Sequence, residues 1–372
     1  MLRAYKYRIY PNNIQKEQIE KQFGACRFVY NWALETKIKA YQMDKTSLSC
    51  FTITNQLSIL KKSEGFEWLK DGNAQSLQMA IRNLDNAFTK FFREKTGFPK
   101  FKSKKNPVQS FQLPQHYAVD FEDGNVKLPK MGKVKTSFSR EFEGMPKTAT
   151  VSRSTTGKYY ISILVDDGKD LPDKQHFDDN NTVGVDVGIK DFAILSNGEK
   201  IENPKYLKNS LQRLKALSRK FSKKVKGSNN WKKAKMKLSL LHEKITNQRN
   251  DFQHKLSIKL VRENQAIALE TLNVSGMVKN HCLAQSISDA GWSSFVDKIT
   301  YKAEWYGKTI LRIGQFEPSS KLCSVCGYHN SNLTLAIREW TCPECNTIHD
   351  RDINAAINIK KFALQDQNLV VI

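Results

Sequence analysis

No run of eighteen apolar residues occurs in this 372-residue chain and no secretory leader opens it. A membrane-spanning helix is thereby excluded, and a cytoplasmic location is expected. Acidic residues are scarce, 37 Asp and Glu against 60 Lys and Arg, which leaves a net charge of +23. A surplus of that size implies a polyanionic partner, nucleic acid before an anionic membrane. Cysteine is sparse as well: of seven, Cys26, Cys50 and Cys282 are scattered, which suits a reducing compartment rather than a disulfide framework. Hydrophobic content is an ordinary 40%, and the length suffices for two or three domains with their own cores.

The other four cysteines are not scattered. Cys323 and Cys326 form one Cys-x-x-Cys pair, and Cys342 and Cys345 form a second after an intervening stretch of fifteen residues. Two such pairs at this separation predict a tetrahedral zinc site, with two disulfides or four unrelated thiols as the competing reading. Four thiolates leave no open coordination position, so such a zinc is structural. Directly after the second pair, His349 to Asn358 starts acidic and continues as a helix with Ile353, Ala356 and Ile357 on its expected buried face. A carboxylate in a helix's first turn is stabilised by free backbone N–H groups and the helix dipole.

In the N-terminal half, Leu2 to Tyr10 alternates basic with aromatic or aliphatic residues, as a half-buried strand does. From Ile14 to about Phe101 the period becomes helical. One stripe runs through Ile19, Phe23, Cys26, Phe28, Val29, Trp32 and Leu34, and a second through Leu77, Ile81, Leu84, Ala87, Phe88, Phe91 and Phe92. Such stripes are expected to be core; the polar edge of the second helix (Gln75, Gln78, Arg82, Asn83) could instead read a nucleic-acid groove. Gly97 to Lys105, with Lys100 and Lys102, could clamp phosphates, or be a solvated charged face. Short alternating segments from Gln109 to Val165, broken by Gly and Pro, predict a small barrel or sandwich that the opening strand joins. Asp166 to Asn181 reads as a linker.

In the C-terminal half, the apolar run Thr182 to Gly188 carries one acid, Asp186, and the apolar strand ending near Asn273 carries Glu270. A buried carboxylate is expensive unless it binds metal or is fully hydrogen-bonded. With Asp352 in the final helix, the order strand, strand, helix is that of an RNase H-like fold. Its chemistry is two-metal phosphodiester hydrolysis, with Mg²⁺ on hard oxygen ligands. Between Asp350 and Asp352, helix geometry favours Asp352 as the third acid only by a small margin; Asp350 is then expected to cap the helix. Between the first two acids, Lys200 to Arg262 holds nineteen Lys and Arg against three acids. A basic helical hairpin interrupted at Gly227 is expected there, with Lys223, Lys224, Lys232 and Lys233 on nucleic-acid backbone.

These motifs together resemble the TnpB (OrfB) family of transposon-encoded, RNA-guided DNA nucleases, relatives of the compact type V CRISPR effectors. The resemblance rests on Tyr7 to Pro11, Phe23 to Trp32, Gly97 to Lys102, Gly184 to Gly188, Leu269 to Met277, Ser319 to Gly327 and His349 to Ala356. It implies a catalytic triad of Asp186, Glu270 and Asp352, and zinc on Cys323, Cys326, Cys342 and Cys345. It also implies an α/β multidomain architecture. A wedge β-barrel (residues 1–12 and 103–175) is interrupted by a helical recognition lobe (13–102). A RuvC-like nuclease domain follows (181–317 and 349–372), carrying a zinc ribbon (318–348). The partners implied are a guide RNA from the transposon end and target double-stranded DNA beside a short motif, a division of labour in which RNA pairing reads most of the sequence. The alternatives are a protein-only DNA transposase and a nuclease-idle, RNA-guided repressor.

Overall fold

The computed structural model describes residues 1–106, 108–315, 317–334 and 336–368, and the side chains of the last three of these are left aside. Residues 107, 316, 335 and 369–372, which fall within the spans given above for the barrel, nuclease and ribbon, lie outside the described residues. The chain forms two units, Met1–Lys169 and Asp170–Ile372. No helix among the described residues is long and apolar enough to cross a membrane.

The first unit begins with β1 (Leu2–Tyr10), α1 (Asn13–Asp44), α2 (Cys50–Leu60) and α3 (Ala74–Glu94). It continues with β2 (Gln109–Leu113), β3 (Ala118–Asp120), β4 (Asn125–Leu128), β5 (Gly132–Ser137), β6 (Met145–Arg153) and β7 (Tyr159–Asp166). The strands make one antiparallel sheet in the order β2-β6-β7-β1-β5-β4-β3, so the opening strand is central. Its alternation buries Tyr7 and Ile9. A reciprocal cap turns the strand into α1: Gln15 N–H donates to Asn12 Oδ1 at 2.9 Å and Asn12 N–H to Gln15 Oε1 at 3.0 Å. Sheet and helices share one apolar core.

Three expectations need correction here. The helical pattern stops at Glu94 rather than near Phe101, because Lys95 takes a left-handed backbone (φ 52°) and Gly97 and Pro99 follow. The second stripe is core only as far as Leu84; Phe88 and Phe91 are half-buried and Phe92 is 73% exposed, since they gather on Phe98 of the following loop. Residues 170–175 belong with the second unit, where Gln175 N–H donates to Gly307 O.

The second unit contains β8 (Thr182–Val187), β9 (Asp191–Leu195), β10 (Lys200–Glu202), α4 (Tyr206–Ser222), α5 (Asn229–Glu263) and β11 (Ala266–Glu270). It continues with α6 (Val274–Met277), α7 (Ala284–Ala290), α8 (Trp292–Trp305), β12 (Thr309–Ile313), β13 (Glu339–Thr341), β14 (Ile348–Asp350) and α9 (Arg351–Asn368). The main sheet runs β10-β9-β8-β11-β12; β8, β11 and β12 are parallel and β9 is antiparallel to β8. This is the expected RNase H-like arrangement. Strands buried on both faces explain the unbroken apolar runs. Ile267 and Leu269 meet α5 and α8 on one face, while Ala266 and Ala268 meet Ile359 and Ala363 of α9 on the other.

Candidate active site

The parallel register places Leu269 opposite Val185. The next residues, Glu270 and Asp186, therefore stand side by side at the carboxyl ends of adjacent strands, where ligands bind in open α/β sheets. Burial first, then the Glu270 and Asp352 charges, push the Asp186 carboxyl up to about 7, with Arg351 acting the other way. Burial likewise raises the Glu270 carboxyl. Three carboxylates converging in a half-buried site repel one another, a field that a cation relieves.

Asp352 reaches this site on α9, which packs directly against β8. A Cβ built on Gly184 would lie 2.1 Å from the Ala356 carbonyl oxygen and 2.9 Å from Lys360 Cβ. Glycine at this position lets the helix backbone touch the strand two residues before Asp186. At about 100° per residue, Asp352 lies in line with Ala356, Ile359 and Ala363, on the side facing the sheet. The expected buried face is corrected: Ile353 and Ile357 are only half-buried, and Asn354, Ala355, Asn358, Ile359 and Ala363 take the interior with Ala356.

Asp350 ends β14 and caps α9, its Oδ1 accepting from the N–H groups of Asp352 and Ile353 at 3.1 Å each. Burial alone would raise its carboxyl, but hydrogen bonds from Lys200 and from Ile353 and Asp352 hold it below its ordinary value. Two guanidiniums hold Asp352. Arg338 Nη1 donates to both carboxylate oxygens at 3.2 and 2.9 Å, and Arg351 donates through Nε and Nη2 at 3.2 and 3.0 Å. Among the described residues only the four cysteines form a group of three or more ligating side chains within 4.8 Å of one another. Asp186, Glu270 and Asp352 do not form such a group, and the Asp352 carboxylate is taken up by the two arginines.

The cysteine quartet is built from two similar turns. Gly327 N–H donates to Cys323 O at 3.0 Å, and Asn346 N–H to Cys342 O at 2.9 Å. In both turns the residue after the second cysteine has a left-handed backbone, Gly327 at φ 81° and Asn346 at φ 58°, a region open to glycine and tolerated by asparagine. The Sγ atoms of Cys323 and Cys345 are 3.6 Å apart and those of Cys326 and Cys342 3.5 Å. A disulfide requires about 2.05 Å, whereas four sulfurs on one metal at about 2.3 Å lie roughly 3.8 Å apart. The quartet therefore suits one tetrahedral metal. The second pair sits on the β13–β14 hairpin, which runs straight into α9.

The nucleic-acid candidates fall into two groups. Gln78, Arg82, Lys100, Lys223, Lys224, Lys232 and Lys233 are exposed. Gln75 and Asn83 instead reach Gln115 and Gln112, and Lys102 lies 4.0 Å over the Tyr30 ring while its backbone pairs with Asn31. The expected basic hairpin is α4 and α5, with Ser228 Oγ accepting from Trp231 N–H at the start of the second arm. The roles of Arg338, His349, Asn354 and Asn358 were not read from the sequence, since each depends on a partner brought close only by the ribbon. The Asp-x-Asn spacing after the quartet was the one available signal.

Family models match three stretches: "Probable transposase" over residues 162–281, "Cas12f1-like, TNB domain" over 292–359 and "Helix-turn-helix domain" over 1–46. The last covers β1 and α1, a strand and one long helix. A Streptomyces pristinaespiralis protein named as an RNA-guided DNA endonuclease is 39% identical over 360 residues, 96% of this chain and 88% of that protein. InsQ of Escherichia coli K12, named likewise, is 32% identical over 373 residues, 96% and 91% of the two chains. A TnpB-like protein, L79, of Acanthamoeba polyphaga mimivirus is 21% identical across 97% of this chain and 73% of its own. The protein chain in a Cas12f1–sgRNA–target DNA complex shares the fold, with a TM-score of 0.58 at 14% identity over 97% of this chain and 98% of that one.

Proposed function

Because the chain belongs to the TnpB (OrfB) family, we propose that it is an RNA-guided DNA endonuclease that cuts a phosphodiester bond at Asp186, Glu270 and Asp352. The observation that carries the reading is the placement of these acids. Two lie side by side at parallel strand ends, and a third is delivered by a helix pressed onto the same strand. The guide is an RNA from the transposon's own end, and the target is double-stranded DNA paired to it beside a short motif.

Asp186, Glu270 and Asp352 would hold Mg²⁺, which suits hard carboxylate oxygens. When bound, it supplies activation of the attacking water and stabilisation of the departing 3′-oxygen. The residues' own part is to present converging negative charge, while Arg338 and Arg351 offset the repulsion on Asp352 and fix its direction. Asp350 keeps the first turn of α9 wound, and Lys200 pairs with it.

Purified from its native host, the protein should carry RNA derived from its own element. With that RNA, Asp352→Ala should lose Mg²⁺-dependent cleavage of matched DNA while retaining RNA and target binding; a variant that cuts at the wild-type rate would remove Asp352 from the site. Asp350→Ala should lose about 1 kcal/mol of stability and only part of the activity.

Cys323, Cys326, Cys342 and Cys345 hold one structural zinc per chain in this reading. Elemental analysis should find it, and Cys342→Ser should release it and loosen the ribbon, because structural zinc contributes directly to folding. Wild-type protein with no zinc at all would end that assignment.

A further inference from the structure

Resting on that reading of the site, we infer that Asn354 and Asn358 are positioning residues through which the cysteine knuckle sets where Asp352 stands. The two asparagines lie one turn apart on α9, on the side roughly opposite Asp352. Both are 1% exposed. Asparagine is a poor choice for a helix interior and costly in a core unless its amide is fully paired.

Here the amides pair with the backbone of the first cysteine turn. Asn354 Nδ2 donates to Leu322 O at 2.7 Å, and its Oδ1 accepts from Ser324 N–H at 2.9 Å. Asn358 Nδ2 donates to Ser319 O at 2.8 Å and Leu322 O at 2.6 Å. Lys361, one further turn along, donates to Ser324 O. The bonded groups flank Cys323 on both sides. His349, just before α9, places Nε2 3.0 Å from Cys323 Sγ, and its ring lies 4.9 Å from that of Trp340 at a tilt of 34°.

The loop that carries Cys323 is thus fastened to the helix at its start and along its next two turns. On its other side the same helix rests on Gly184. The cysteine turn and the first turn of α9 cannot shift independently, and Asp352 lies in that first turn. Loss of the Asn354 amide leaves Ser324 N–H unpaired, and loss of the Asn358 amide leaves Ser319 O unpaired, while Leu322 O keeps one donor; either loss frees the helix to move. A displacement of about 1 Å at a reacting group can cost on the order of 10²-fold in rate. The coupling is reciprocal, so the helix also holds the cysteine turn closed on its metal.

The test uses guide-loaded protein carrying Asn354→Ala or Asn358→Ala. Three quantities are read: zinc release to a chelator, single-turnover cleavage of matched DNA, and affinity for that DNA. Zinc release should accelerate by roughly 5- to 100-fold. Cleavage should slow by about tenfold or more with target affinity unchanged, a split that general misfolding would not produce. Zinc removal should slow wild-type cleavage to a similar degree and slow the variants little further, because the two perturbations act through one contact. Lys361→Met, at an exposed position, should move zinc release and cleavage in the same directions by less, and it serves if the alanine variants do not fold. Zinc release at the wild-type rate, or faster release with undiminished cleavage, would overturn the inference. Wild-type protein that fails to cut would refute the nuclease reading instead, and the release rates would then decide the coupling alone.

Discussion

Asp186→Asn should abolish cleavage and at the same time raise the melting temperature of the magnesium-free protein. The first effect follows from removing a charged member of the proposed catalytic group, a loss of roughly 10⁴-fold. The second follows from the cost of the site before any cation enters it. Burial, and next the Glu270 and Asp352 charges, push the Asp186 carboxyl up to about 7, well above its value in an unfolded chain. A carboxyl raised by folding binds its proton more tightly in the native state. It imposes no penalty below about pH 4, where both states are protonated, and its full penalty above about pH 7. Magnesium-free wild type should therefore lose stability as pH rises across that window. The neutral amide should show no such loss from this position. At pH 7 and above the variant should melt higher, by roughly 2–4 °C for each kcal/mol relieved in a unit of this size. Melting curves across the pH window in magnesium-free buffer, with cleavage assays alongside, measure both effects. Equal melting temperatures at pH 7.5 would mean that neither burial nor the neighbouring charges penalise the Asp186 carboxylate in the folded protein.

Gly184→Ala should be nearly as damaging, although it adds one methyl group and touches no catalytic atom. The new Cβ would lie 2.1 Å from Ala356 O, where real contacts of this kind stay beyond 3.0 Å. The obstructing atom belongs to a helix backbone, so it cannot step aside as a side-chain tip can. Either α9 lifts from β8 by about an ångström or the strand bends. Overpacking of this sort costs about 1–3 kcal/mol, occasionally more. The lift also carries Asp352 away from Asp186, which should lower cleavage by on the order of 10²-fold while guide RNA remains bound. Wild-type cleavage in this variant would show that α9 need not sit so close to the strand.

The carboxylate strands were legible because an acid inside an apolar run is conspicuous, and the metal centre because paired cysteines at that spacing have few other uses. That β1 joins the later strands could be anticipated from its alternation, but its central place could not, since alternation does not fix the order of strands. What the sequence concealed is the asymmetry of α9. Ile353 and Ile357 advertise a buried face, yet Asn354 and Asn358 are the more buried. Their partners lie 30 to 39 residues earlier in the chain, so no local pattern could reveal that these amides would be satisfied. The same holds for Arg338, which reads as one more surface cation until the ribbon brings it onto Asp352. The outer half of the α3 stripe misled for the opposite reason. Its phenylalanines keep helical spacing, but what they meet is Phe98 of a loop, not a second core element.

The central place of β1 has a consequence for how the chain comes off the ribosome. It is synthesised before the other strands of its sheet, but its longest ladder joins Leu2 to Asp166 and Ile9 to Tyr159. At about 5–20 residues per second, roughly ten to thirty seconds pass before that partner strand emerges. In the interval α1, α2 and α3 can wind, since their hydrogen bonds are local, while a strand of alternating aromatic and basic residues waits with both edges unpaired. Unpaired edges invite pairing with the wrong chain. Four of the nine residues of β1 are Arg3, Lys6, Arg8 and the exposed Tyr10, and the three cations repel a second copy of the same strand during that wait. The positive charge that suits a nucleic-acid partner in the finished protein thus also guards the nascent one.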